Sequence, residues 1–390
     1  MDRFVYGNEF KRSVRFSFQN VQNFILLDVK MEGILPTHFI FDTGSEYTVI
    51  LKRELAYLLN MDYFKSIPLY GSDLTSVVYA FISRNANLNI DDKLLIRSNV
   101  LVLEEDFIHL DEMLGMQIDG ILGANIFNRY VLHLNNKKKY IEFIKSDYFS
   151  PPKGFVELPI EIHKGKPYLV TNIGLNGEQK QTLKFLIDSG SAIPLLLYNN
   201  TSQHIDLPET VIPGNLGIGL GGQLEGFMGK VDELEIGPYS FSNLITSFQD
   251  FEIDSTQQLY LNRNGLIGNA LLSRFDIYID YTKEKLYIRA NKDFDKKFRI
   301  DKSGLVLVAT GENFNNIVVH RVLKGSPADL AGVRVGDELH KFNRWPAYFF
   351  DIHSVSYKLS GKEGRNIKLS LRRGDEKKVK VQFKLKSLFD

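Results

Sequence analysis

Two heptapeptides of this chain match position for position: Phe39-Ile40-Phe41-Asp42-Thr43-Gly44-Ser45 and, 146 residues on, Phe185-Leu186-Ile187-Asp188-Ser189-Gly190-Ser191. Each runs through three apolar residues, an aspartate, a hydroxyl residue, a glycine and a serine. A single Asp-Thr/Ser-Gly tripeptide says little, because roughly 0.2 copies are expected by chance at average residue usage in a chain this long. Two copies, each closing an apolar strand-like run, mark an internal duplication, and a duplication limits the chain to folds built from two like halves.

The repeat extends in both directions. Upstream of Asp42, Ser13–Phe18 alternates as a strand, Phe24–Val29 is apolar and a turn falls at Glu32-Gly33. Upstream of Asp188, Val156–Ile162 and Tyr168–Ile173 repeat that order, with the hairpin signal Asn176-Gly177. Downstream, Asp119-Gly120-Ile121-Leu122-Gly123 matches Asn264-Gly265-Leu266-Ile267-Gly268; Gly123 lies 79 residues past Gly44, and Gly268 lies 78 past Gly190. Each half then ends in a hairpin, Tyr130–Leu134 with Tyr140–Phe143, and Phe275–Asp280 with Leu286–Ile288. From about residue 299 the pattern changes. Strands at Gly304–Val308 and Ile317–Val322 precede Gly325-Ser326-Pro327-Ala328, in which a proline starts one helical turn that Gly332 ends. The chain is therefore expected to be all-β over residues 1–152 and 153–298, followed by a small α+β domain over 299–390.

Bulk properties exclude several classes. Basic and acidic residues number 48 and 47, so no net field recruits nucleic acid or an anionic membrane, and no nucleic-acid partner is expected. The absence of cysteine removes thiol nucleophiles, disulfide frameworks and Cys-ligated metal sites. Eight histidines, among them His38, His109, His133 and His163, show no metal-binding spacing and read as strand or surface residues, so no metal or cofactor is expected. Gly217-Ile218-Gly219-Leu220-Gly221-Gly222 matches a dinucleotide-binding string, but no helical pattern follows it. Trp345 reads as loop packing. No apolar run reaches the roughly 20 residues of a membrane helix, and Met1 to Phe10 contain no apolar stretch of the kind a signal peptide needs. The compartment stays open between cytoplasmic and, if a leader has been removed, exported.

Paired Asp-Thr/Ser-Gly-Ser motifs suit one chemistry. Two carboxylates facing each other across a pseudo-twofold axis cannot both ionise, so one activates water while the other polarises a carbonyl. The hydroxyls of Thr43 and Ser189 can bond across the axis. Gly44 and Gly190 let the loops approach closely, and Ser45 and Ser191 are expected to donate to the carboxylates. The apolar-Gly segments would thread beneath each loop.

With these motifs, residues 1–298 resemble the retropepsin-like and pepsin-like aspartic proteases, bacterial members in particular, with both β-barrel lobes in one chain. The resemblance implies a bilobal acid-protease fold, an aspartic endopeptidase with Asp42 and Asp188 as catalytic dyad, and Thr43, Gly44, Ser45, Ser189, Gly190 and Ser191 as loop support. It also implies covering flaps at Tyr70-Gly71 and Gly221-Gly222. A chain holding both motifs needs no second subunit, so a monomer is expected. Residues 299–390, with Gly325-Ser326-Pro327-Ala328, Ala331-Gly332 and Val335-Gly336-Asp337, resemble a bacterial-type PDZ domain. This implies a polypeptide ligand, with a groove expected at Phe314, Asn315, Asn316 and Ile317 and a helix starting near Asp351. A catalytically inactive peptide-binding or scaffold protein on the same fold is the alternative.

Overall fold

The computed structural model describes residues 10–70, 77–106, 108–202, 205–219, 222–250, 262–374 and 377–389. Its backbone divides into two compact units. One comprises Met1–Ile108, Ile118–Val211 and Asn215–Lys296; the other comprises His109–Gln117, Ile212–Gly214 and Lys297–Asp390.

Within the first unit the duplication is structural. The first lobe's eight-stranded sheet runs Gln19–Val21, Phe24–Met31, Leu35–Phe41, Gly120–Leu122, Val49–Ile50, Leu94–Leu103, Val77–Ile90, Tyr63–Tyr70. The second lobe repeats this order with Glu161–His163, Lys166–Gly174, Gln181–Asp188, Gly265–Gly268, Leu195–Tyr198, Tyr239–Gln249, Gly222–Ile236 and Ile212–Gly219. Turn chemistry repeats as well. Gln22 and Asn23 take positive φ between paired Val21 and Phe24, as Lys164 and Gly165 do between His163 and Lys166. These are two-residue turns whose backbone twist matches that of the strands they join.

A third sheet joins the halves. Its order is Ser13–Ser17, Tyr140–Ile144, Val131–Asn135, Phe275–Asp280, Lys285–Ala290 and Val156–Pro159, three strands from each repeat. The central pair is antiparallel, with His133 opposite Tyr278. One face of this sheet, with Phe16 and Phe143, packs on Phe41 and Phe127, all four fully buried. Aromatic rings meeting at 4.5 to 6.3 Å tie that face to the strand that carries Asp42. Hydrophobic burial thus fixes the base from which both aspartate loops project.

The second unit is built on a sheet ordered Leu305–Thr310, Asn316–Val322, Glu338–Phe342, Asn366–Arg373, Lys377–Lys384, with Trp345–Pro346 paired to Glu338–Phe342. Ser326 caps the helix Pro327–Leu330 and Asp351 caps Ile352–Leu359, each accepting a bond from a backbone N–H three residues on. Ile317, Phe342, Ile367 and Leu371 form the centre of its core. The short helix Leu110–Leu114 packs on Leu305–Thr310 and on Ile352–Leu359. It ends at Gly115 with φ of 65°, where a Cβ would lie 2.7 Å from Ile352 Cγ2. No helix among the described residues is long and apolar enough to cross a membrane.

Candidate active site

Asp42 ends the strand Leu35–Phe41 and Asp188 ends Gln181–Asp188, and each is followed by a loop that turns back beside the threaded strand. Gly120–Leu122 runs parallel to the Asp42 strand and antiparallel to Val49–Ile50; Gly265–Gly268 does the same for Asp188 and Leu195–Tyr198. Such threading requires residues without side chains. A Cβ on Gly123 would collide with the Tyr47 carbonyl, and one on Gly268 with that of Ile193.

The two loops meet through reciprocal contacts. Thr43 Oγ1 donates to the Ile187 carbonyl at 2.7 Å and accepts from Ser189 N at 2.9 Å. Ser189 Oγ donates to the Phe41 carbonyl at 3.0 Å and accepts from Thr43 N at 3.0 Å. Both hydroxyl residues are fully buried, so these four bonds have no competition from water. The paired glycines bring the carboxyls together. A Cβ on Gly44 would sit 2.6 Å from Asp188 Cγ, and one on Gly190 would sit 2.5 Å from both carboxyl oxygens of Asp42.

The serines act differently from expectation. Ser45 gives its hydroxyl to the Tyr47 carbonyl at 2.8 Å, and its backbone N–H, with that of Gly44, donates to Asp42 Oδ1 at 3.1 and 2.6 Å. Asp188 Oδ1 accepts from Gly190 N at 2.9 Å. Ser191 contributes its carbonyl to Asn269 N at 2.7 Å rather than a hydroxyl to Asp188. Tight turning aims backbone N–H groups at each carboxylate, and the Ser45 hydroxyl is spent on a backbone carbonyl.

Electrostatics separates the two carboxyls. Burial, the charge of Asp188 and a hydrogen bond between them push Asp42 well above the usual carboxylate range. Burial raises Asp188 too, but its hydrogen bond with Asp42 and the charges of Arg263 and Lys166 oppose the rise. Both carboxyls are therefore raised as a coupled pair, Asp42 with fewer opposing charges than Asp188. Both residues keep partial exposure, so water reaches them.

Lys166 and Arg263 had not been singled out in the sequence. The signal was present: aligning Asn264-Gly265 with Asp119-Gly120 puts Arg263 opposite Ile118, a charge where the other half is apolar. Of the expected flap residues, Tyr70 ends a strand of the first lobe and Gly222 begins one of the second, whereas Gly71 and Gly221 lie outside the described residues. Of the expected PDZ groove residues, Asn316 and Ile317 sit on an inner strand, and Phe314 and Asn315 precede it. Phe314 takes positive φ in the preceding turn, Asn316 opens Asn316–Val322, and Ile317 is buried in the core. The ends of that strand order are Leu305–Thr310 and Lys377–Lys384. His133 is a strand residue but a buried one, stacked on Tyr278 and 2.8 Å from Asp276.

Comparison with known families agrees with this architecture. A family model described as aspartyl protease matches residues 27–126, and one described as PDZ domain matches residues 318–373. No curated protein matches the chain. An all-β unit of two acid-protease lobes and a PDZ domain following it define the class. The chain thus carries an aspartyl protease-like domain and a C-terminal PDZ domain, a peptide-binding module.

Proposed function

We propose that this protein is an aspartic endopeptidase in which Asp42 and Asp188 activate water against a peptide bond without metal or cofactor. The observation that carries the reading is the reciprocal seating of each carboxyl against the other loop's glycine, where the two raise one another's affinity for a proton. Asp188, ionised, takes a proton from water as the water oxygen attacks the scissile carbonyl carbon. Asp42 gives its proton to the carbonyl oxygen, so the tetrahedral intermediate forms neutral. Proton transfer to the amide nitrogen then breaks the C–N bond and releases acid and amine. Thr43 and Ser189 hold the geometry and touch no substrate atom. The PDZ domain supplies a second contact for polypeptide.

Incubation with a diverse peptide mixture, read by mass spectrometry, tests the reading. Cleavage by the wild type is expected, with loss of about 10³-fold or more in Asp42→Asn and in Asp188→Asn, since each removes one half of a proton relay. Substantial turnover by either variant overturns the dyad. Peptide binding by the wild type without turnover at any pH would instead mark a non-enzymatic scaffold.

A further inference from the structure

The pseudo-twofold register shows where the two halves differ. Leu26 pairs with Ile40, two residues before Asp42, as Tyr168 pairs with Leu186, two before Asp188. Phe24 and Lys166 are therefore equivalent. Gly120 pairs with Phe39 and Gly265 with Phe185, each three residues before its aspartate, so Ile118 and Arg263 are equivalent too. Phe24 and Ile118 are buried apolar residues. Their counterparts are two cations, both partly exposed.

These cations are held rather than neutralised. Arg263 donates to Tyr198 Oη at 3.0 Å and lies 5.4 Å from that ring's centroid. Its buried Nε has no hydrogen-bond partner. Neither Arg263 nor Lys166 forms an ion pair among the described residues. Burial and the charge of Arg263 push Lys166 down to about 8, against the pull of Glu46 and Asp42. Two positive charges thus repel each other beside the dyad, on one side of the pseudo-axis only. Against burial, Tyr198, Tyr168 and the Asp188 carboxylate favour the Arg263 cation, and its unpartnered Nε–H leaves a donor for a further anion.

We propose that Lys166 and Arg263 form an anionic-substrate subsite on the Asp188 side of the cleft, which takes a carboxylate of the peptide being cut. This rests on the endopeptidase reading above. The carboxylate comes from an Asp or Glu side chain or from a nearby peptide C-terminus, and Arg263 can bind either bidentately.

Matched peptide pairs distinguish these sources: Glu against Gln at each position within three residues of the cut, and free-acid against amidated C-termini. The full-length wild type is expected to favour the carboxylate peptide of one pair by about tenfold in kcat/KM. That ratio should fall to near one in Arg263→Gln and Lys166→Gln, and invert toward Lys-bearing peptides in Arg263→Glu. A gain of function of that kind does not come from misfolding. A wild-type ratio near one, or a ratio that survives both neutral variants, overturns the subsite. If no peptide is cut, the same ratios are read as Kd by fluorescence anisotropy. A carboxylate preference lost in Arg263→Gln then supports the subsite while the catalytic reading fails, and no preference overturns the subsite itself.

Discussion

Replacing Thr43 by valine tests what holds the two aspartate loops together. The substitution keeps the shape and deletes one hydroxyl that makes two buried cross-lobe bonds. Ser189 N–H loses its acceptor and the Ile187 carbonyl loses a donor, both where water does not enter. A stranded buried N–H costs about 1–3 kcal/mol and the second lost bond about 1 kcal/mol, giving roughly 2–4 kcal/mol in all. The readout must follow the correct unit. Trp345, the chain's only tryptophan, lies in the PDZ unit, so its fluorescence is blind to this site. Far-UV circular dichroism, or emission from the 18 tyrosines, should show the first unit's transition moving to lower urea while the Trp345 signal holds its midpoint. In a double-mutant cycle with Ser189→Ala the two losses should be strongly non-additive, because the hydroxyls share one network. A loss below about 0.5 kcal/mol, or simple additivity, would refute the network as the clamp.

Other consequences follow from the same structure. Gly190→Ala places a Cβ 2.5 Å from both Asp42 carboxyl oxygens, so it should abolish turnover while leaving the PDZ transition unchanged; retained activity would mean the loops can separate. Since the folded-state pKa of Asp42 is raised, the folded state binds more protons than the unfolded one above the ordinary value of 3.8. Stability from this group is present below that value and lost as pH rises. Asp42→Asn should accordingly be more stable than wild type at pH 7 and no more stable at pH 3; equal midpoints at both pH values would falsify the protonated assignment. Glu142 has the opposite sign. Bonds from His133, Arg15 and Ser13 hold it down at about 2, so it stabilises above its ordinary 4.5 and stops doing so as pH falls through 2. Glu142→Gln should lower the thermal midpoint at pH 7 and have no effect near pH 2. Arg373 grips buried Asp337 through two bonds of 2.7 Å. Arg373→Ala leaves that carboxylate, among the described residues, with only the Arg334 N–H at 2.9 Å and should cost the PDZ unit about 2–3 kcal/mol, read directly from Trp345.

The sequence carried the local half of this architecture. The strands leading to Asp42 and Asp188, the turn at Asn176-Gly177 and the threaded Gly120 and Gly265 segments are each written in a short run of residues. What it did not carry is pairing between distant segments. Val131–Asn135 and Phe275–Asp280 both read as hairpin strands, but nothing in either says that His133 faces Tyr278 and joins the lobes in one sheet. The same limit applies at the site. Ser45 and Ser191 were expected to hold the carboxylates because a hydroxyl is visible in the sequence, whereas the backbone N–H groups that do so are carried by every residue. Lys166 and Arg263 gain meaning only once the register is known. The groove expected at Asn316 and Ile317 falls on an inner strand because strand order, which decides the edge, is not local information.

The sheet that joins the lobes also sets a timetable for making the protein. Val131–Asn135 leaves the ribosome about 140 residues before its neighbour Phe275–Asp280, a wait of roughly 7–30 s at ordinary elongation rates. Throughout that interval the first half carries a strand, with apolar Leu132 and Leu134 in it, whose outer backbone groups lack their later partner. Such an edge is a template for any other strand. A nascent chain stalled near residue 150 would offer it to a second copy of itself, so the gene's first half is a dimer in waiting until its second half is translated.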